Sequence, residues 1–76
     1  MNELLAYLAR ELVDDPEAVR VEEEERDGAL VLVLHVAHDD VGKVIGRQGR
    51  IARALRTLVR AGSAHEGRRI VLEIVD

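Results

Sequence analysis

The stretch with the densest chemical potential in this chain is Gly42-Lys43-Val44-Ile45-Gly46-Arg47-Gln48-Gly49-Arg50-Ile51. Gly46 and Gly49 bracket a two-residue loop, and without a Cβ at either end another backbone can come close. A helix beginning near Arg50 turns its first free amides and the positive end of its dipole toward the same point, which favours an anion there. Lys43, Arg47 and Arg50 add cations around it, with Arg53 one turn further on. Val44 and Ile45 before the loop and Ile51 after it can line an aliphatic groove. The combination suits a sugar–phosphate chain held at its backbone while its bases lie against aliphatic side chains.

A Gly-x-x-Gly between two helices can equally be a tight helix–turn–helix, and arginines on a helix are commonly solvated decoration. The surroundings shift the balance toward nucleic acid. From Gly42 to Gly62 the chain holds Lys43, Arg47, Arg50, Arg53, Arg56 and Arg60 and no acid at all. Other phosphate motifs fit less well. Gly42, Gly46 and Gly49 follow neither Gly-x-Gly-x-x-Gly nor the P-loop spacing, and Lys43 precedes the loop instead of following it.

No catalytic constellation is evident, so the chain reads as a non-enzyme that needs no cofactor. Without cysteine there is no disulfide, thiolate metal site or cysteine nucleophile. His35 and His38 with Asp39 and Asp40 could suggest a metal cluster. His35, however, falls in a strand, and Asp39 or Asp40 is better used as a helix cap, so no metal is expected. Ser63, the only serine, falls at a predicted helix end, where it caps or turns. His65 lies in the predicted loop before the last strand with no neighbouring ligand. Tyr7 is the sole aromatic, which excludes stacking platforms as the main mode of recognition; it reads as a boundary packing residue.

The elements that must position the loop are legible from periodicity. Leu4, Leu5, Leu8, Leu12 and Val13 recur at helical spacing, with Asn2 as candidate N-cap and Asp15-Pro16 as the stop. Asp27-Gly28 between two extended runs predicts a type I′ hairpin. In its second strand Leu30, Leu32, Leu34 and Val36 share one face while Val31 and Val33 take the other, so that strand is central. A short helix through Lys43 to Ile45 leads to the loop. From Arg50 a longer one gathers Ile51, Leu55, Leu58, Val59 and Gly62 on one arc and Arg50, Arg53, Arg56 and Arg60 on the other, ending near Gly62-Ser63. Ile70 to Val75 alternate as a last strand, parallel to the central one. The order is α-β-β-α-α-β, an α+β domain with a three-stranded mixed sheet packed on one face by three helices.

Seventy-six residues, 47% hydrophobic and 34% charged, make a single domain spanning 1–76. So small a core gains from association. No apolar run reaches the ~18 residues of a membrane span and no signal-peptide layout is present, so a cytoplasmic protein is expected. The net charge of −4 hides an asymmetry. Met1 to Asp27 hold ten acids against three arginines, whereas Asp39 to Asp76 hold eight bases against five acids. Nucleic-acid affinity would be local to the second half.

Val44-Ile45-Gly46-Arg47-Gln48-Gly49-Arg50-Ile51 resembles the Val-Ile-Gly-x-x-Gly-x-x-Ile signature of the KH domain, and the element order resembles its type II form. Across the whole length, including Asp15-Pro16-Glu17 and the ending Ile70 to Asp76, the chain is similar to the KhpA family of small bacterial single-KH proteins. The resemblance implies single-stranded RNA binding, with Gly46, Arg47, Gln48 and Gly49 clamping the backbone of about four nucleotides. It also implies RNA-chaperone activity, self-association, and pairing with a larger KH-containing, KhpB-like protein in control of cell elongation and wall homeostasis. A rival reading makes the same loop face a protein-interaction module for homodimerisation or for docking to that larger partner.

Overall fold

Asp27 and Gly28 both take positive φ, 51° and 81°, as a type I′ turn requires. They fold β1 (Arg20–Arg26) back on β2 (Ala29–His35). The computed structural model describes residues 1–76, and its remaining elements are α1 (Asn2–Leu12), α2 (Val41–Ile45), α3 (Arg50–Glu66) and β3 (Ile70–Val75). The sheet order is β1-β2-β3, with β1 antiparallel and β3 parallel to β2. The double-sided apolar strand is therefore central, and the architecture is the α+β type II KH arrangement expected from the sequence.

One face of the sheet carries the main core. Leu32 and Leu34 of β2 and Ile70 and Leu72 of β3 meet Leu5, Ala6 and Ala9 of α1, Val44 of α2, and Leu55 and Val59 of α3. Pairing of Leu32 with Leu72 and Leu34 with Ile74 sets the register, since a one-residue slip would turn the leucines away from the helices. No helix lies over the other face, yet Val31 and Val33 are only 4% and 7% exposed. Glu24 and Glu22 of β1 lie beside them, with Val71 and Glu73 of β3 on the other flank. Arg26 spans the strands, donating to Glu24 at 2.5 Å and to Glu73 at 2.6 Å. The stems of these long side chains roof the valines.

Several local expectations are corrected. Asn2 is the first helical residue instead of the cap, and its amide donates to Glu23 at 2.7 Å. Tyr7 points outward and is 57% exposed, so it packs no boundary. The long helix does not stop at Gly62-Ser63. It runs on to Glu66 and ends on Gly67, whose φ of 69° is the left-handed C-terminal conformation glycine adopts without strain. His65 accordingly lies in that helix and not in a loop. Gly62 lies inside it, with Met1 packed alongside; an added Cβ would stand 2.3 Å from Met1 Cε. Ser63 does turn the chain: its hydroxyl donates to the Arg68 carbonyl at 2.5 Å and accepts from Ile70 N–H at 3.2 Å, tying the helix end to the start of β3. No helix is long and apolar enough to cross a membrane.

The two chain halves are also joined at the surface. His38 pairs with Asp76, whose hydrogen bond and charge raise the imidazole pKa above 6.5, while His38 lowers the carboxyl of Asp76. A raised histidine stabilises the fold below its unfolded pKa and loses that contribution as pH rises through the folded value. A lowered carboxyl contributes above its unfolded pKa and loses it as pH falls. The pair therefore acts between the carboxylate range and the elevated His38 value. In Asp76→Asn the His38 titration followed by NMR should fall back toward 6.5; an unchanged midpoint would remove Asp76 as its cause.

Candidate nucleic-acid interface

Gly46 ends α2 with φ 77° and ψ 171°, a region essentially reserved for glycine. Arg47, Gln48 and Gly49 then make one tight turn, with Gln48 and Gly49 both left-handed and Gly49 N–H donating to Gly46 O at 3.1 Å. The two glycines do different work. A Cβ on Gly46 would lie 2.4 Å from Ile51 Cγ1, so this position lets the loop close down on α3. A Cβ added at Gly49 would meet nothing within 4 Å, so space lies open on that side of the loop.

Two arginines of α3 brace the loop. Arg53 Nη2 donates to the Gln48 carbonyl at 2.7 Å and Arg50 Nη2 to Gln48 Oε1 at 3.4 Å. No side chain caps the N-terminus of α3, and the Arg50 N–H that opens it donates to the Arg47 carbonyl. Arg47 is exposed and forms no ion pair. Ile45 and Ile51 are half-buried and present part of their surface beside the loop. Val44 is different: it is 0% exposed and belongs to the core, so it supports the groove from beneath and cannot line it.

Lys43 departs from the expected role as well. Its Nζ lies 3.1 Å from Asp14 Oδ2 and 3.7 Å from Asp40 Oδ1, and the hydrogen bond to Asp14 raises its pKa. The expected cap at Asp39 or Asp40 does not form. Asp40 stands at the N-terminus of α2, but its buried carboxylate accepts the backbone N–H groups of Asp14 and Asp15 at 3.2 and 3.0 Å. Asp40 and Lys43 together fasten the end of α1 to α2. Asp40→Ala would strand two part-buried donors and is expected to cost about 2–3 kcal/mol in chemical denaturation; a loss under about 0.5 kcal/mol would show that water replaces the carboxylate.

His35 is engaged with Glu22 at 2.5 Å and His38 with Asp76, on different parts of the surface. Folding also assembles a cationic cluster that sequence reasoning did not assign to a site. Arg56 and Arg60 of α3 and Arg69 at the start of β3 line a groove of about 260 Å³ floored by Val59, Ile70 and Leu72. The apposition of Arg69 with α3 is tertiary, and no local pattern announces it. α1 packs near β1 and α3 near β3, at opposite edges of the sheet, while Glu25 of β1 reaches Arg68, the neighbour of Arg69, at 2.9 Å.

Comparison with known proteins gives this geometry a family. The family model described as "KhpA/KhpB, KH domain" matches residues 2–74. Proteins named "RNA-binding protein KhpA" are similar over nearly the whole length. The one from Treponema pallidum is 54% identical, with 99% of this chain and 94% of that protein covered. Its counterpart from Caldanaerobacter subterraneus is 48% identical, covering 99% and 100%, and that from Listeria monocytogenes is 46% identical, covering both chains fully. Among solved structures, Era of Aquifex aeolicus bound to GDP.AlF4- superimposes with a TM-score of 0.61 at 19% identity, over 96% of this chain and 28% of that one. Era in complex with MgGDPNP and nucleotides 1506-1542 of 16S ribosomal RNA gives 0.60 at 19%, over the same shares; at this identity both show the fold alone. With its Gly46–Gly49 loop between α2 and α3 and its full-length match to these proteins, the chain belongs to the KhpA/KhpB KH-domain family.

Proposed function

We propose that the domain binds single-stranded RNA, with the strand's backbone held at Gly46, Arg47, Gln48 and Gly49. The observation that carries this reading is the loop itself: arginine-braced, open at Gly49, and set against the uncapped N-terminus of α3. Relatives named as RNA-binding proteins along the full length support RNA as the ligand class. Arg47 and Arg50 supply phosphate contacts, Arg53 holds the loop in shape and adds charge, and Ile45 and Ile51 offer aliphatic surface to the bases. Lys43, tied to Asp14 and Asp40, contributes less than its position in the motif suggests. The family resemblance extends the proposal to an RNA-chaperone role in the cytoplasm, with self-association or a larger KH-containing partner, in cell elongation and wall homeostasis.

About three neutralised phosphates should give log affinity against log salt a slope near −2, from ~0.7 per contact on a single strand. Fluorescence anisotropy of a labelled single-stranded RNA at several salt concentrations measures it. A slope near zero would contradict a phosphate clamp. No RNA binding by the folded domain would transfer the loop face to the rival reading, a surface for a second copy or a larger KH partner.

A further inference from the structure

We propose that the free edge of β1, with the groove it shares with α1, docks an extended basic segment of a partner protein by strand addition, at the sheet edge opposite β3. Three observations carry the proposal. β1 ends the β1-β2-β3 order, so the backbone N–H and C=O groups it does not spend on β2 have no strand beside them, and six of its seven residues are exposed. Between this edge and α1 runs a continuous groove. Glu3, Glu23, Leu30 and Glu66 line one part of about 510 Å³, and Ala6, Arg10 and Val21 carry it on for about 440 Å³, with Asn2 and Glu3 common to both. The third observation is charge. Glu22, Glu24 and Glu25 are engaged with His35, Arg26 and Arg68, whereas Glu3, Glu23 and Glu66 line the groove and form no ion pair.

The chemistry of the edge selects the occupant. A second copy of β1 would set the run Glu22 to Glu25 against itself, and like charges directly opposite one another in a ladder destabilise it. The run that rejects its own copy attracts a strand of lysines and arginines. Such a strand turns alternate side chains to one face. Those facing the groove lay their methylene stems on Ala6, Val21 and Leu30 and bring their charged heads to Glu3, Glu23 and Glu66. Arg10 marks the far end, where its own charge disfavours a basic side chain. Main-chain hydrogen bonds to β1 then supply affinity and the carboxylates supply selectivity, as when an extended peptide joins a sheet edge. The Gly46–Gly49 loop takes no part, so this docking is independent of the RNA reading.

The probe is a capped heptapeptide of alternating lysine and threonine, matched to the seven residues of β1. In an amide NMR titration of the labelled domain, shift changes should fall on Asn2 to Arg10 and Arg20 to Arg26 and leave Arg47 to Arg53 unmoved. The triple variant Glu3→Gln, Glu23→Gln, Glu66→Gln should bind the peptide at least ~10-fold more weakly at moderate salt. All three side chains are exposed and glutamine at 23 still accepts from Asn2, so the melting temperature should match wild type. The same heptapeptide with every backbone N–H methylated keeps its charge, loses the ladder donors and should bind wild type at least ~10-fold more weakly. The proposal is overturned if wild type does not bind the heptapeptide, if the triple variant binds it equally, or if the shift changes centre on α2 and α3. Equal binding of the methylated peptide, or of spermidine, would overturn it too, by showing a trap for cations and not a strand site. Self-association of wild type in sedimentation that the triple variant lacks would give the groove to a second copy and overturn it likewise. Anisotropy with labelled single-stranded RNA tests the loop separately, and none of these results bears on it.

Discussion

Gly46→Ala is expected to destabilise the domain by about 2–4 kcal/mol, far more than the same change three residues on at Gly49. Two costs coincide at Gly46. Its backbone, at φ 77° and ψ 171°, sits where non-glycine residues pay about 1–3 kcal/mol. The new methyl would also stand 2.4 Å from Ile51 Cγ1, 2.9 Å from Ile51 Cβ and 3.0 Å from the Ile51 nitrogen. Ile51 cannot simply swing aside, because its backbone and Cβ are involved, and overpacking of this kind adds about 1–3 kcal/mol. A domain of this size has a total stability of only about 4–11 kcal/mol. Thermal melts should show a fall of about 10–30 °C. Gly49→Ala meets open space and carries only the left-handed penalty of about 1 kcal/mol, but it places a methyl where the ligand backbone is to approach. Its expected phenotype is near-normal melting with weakened RNA binding. Equal stability losses at the two glycines would contradict this division of labour.

The second large effect is electrostatic. Arg47→Asp combined with Gln48→Asp replaces one positive and one neutral side chain by two negative ones at the point where phosphates are to be held. RNA affinity should fall at least ~100-fold at moderate salt, through lost attraction and added repulsion. The fold should hold. Both side chains are exposed, the Gln48 carbonyl that receives Arg53 is backbone and survives, and aspartate tolerates the left-handed conformation of position 48. A melting temperature within a few degrees of wild type, with anisotropy showing no binding at low micromolar protein, is the expected pair of results. Affinity within threefold of wild type would remove the loop as the clamp.

Much of this was legible in the sequence because the decisive signals are local. The Asp27-Gly28 pair fixed the hairpin, the two apolar faces around Leu32 and Val33 placed their strand in the middle of the sheet, and the glycines at 46 and 49 marked the loop. What escaped was tertiary. Asn2 and Asp40 are good capping residues by type, yet each found a stronger partner across the fold: Asn2 the carboxylate of Glu23, and Asp40 the backbone of Asp14 and Asp15. Gly62 looked like a helix stop because glycine is costly mid-helix, yet α3 runs through it to Glu66 and ends on Gly67. Within the site, Val44 shares the motif's apolar character with Ile45, but only the wheel of a five-residue helix pinned by Lys43 decides which of the two faces inward. The groove at Arg56, Arg60 and Arg69 depends on how β3 lies beside α3, which no spacing in the chain encodes.

The most direct test of the central claim is an amide NMR titration of the uniformly labelled domain with a short single-stranded RNA. Shift changes should concentrate on Gly46 to Arg53, with Gly49 and the first amides of α3 among the largest, while β1 from Arg20 to Arg26 stays unmoved. Changes centred on α1 or on the acidic strand, or RNA binding that leaves Gly49 and Arg50 untouched, would contradict it.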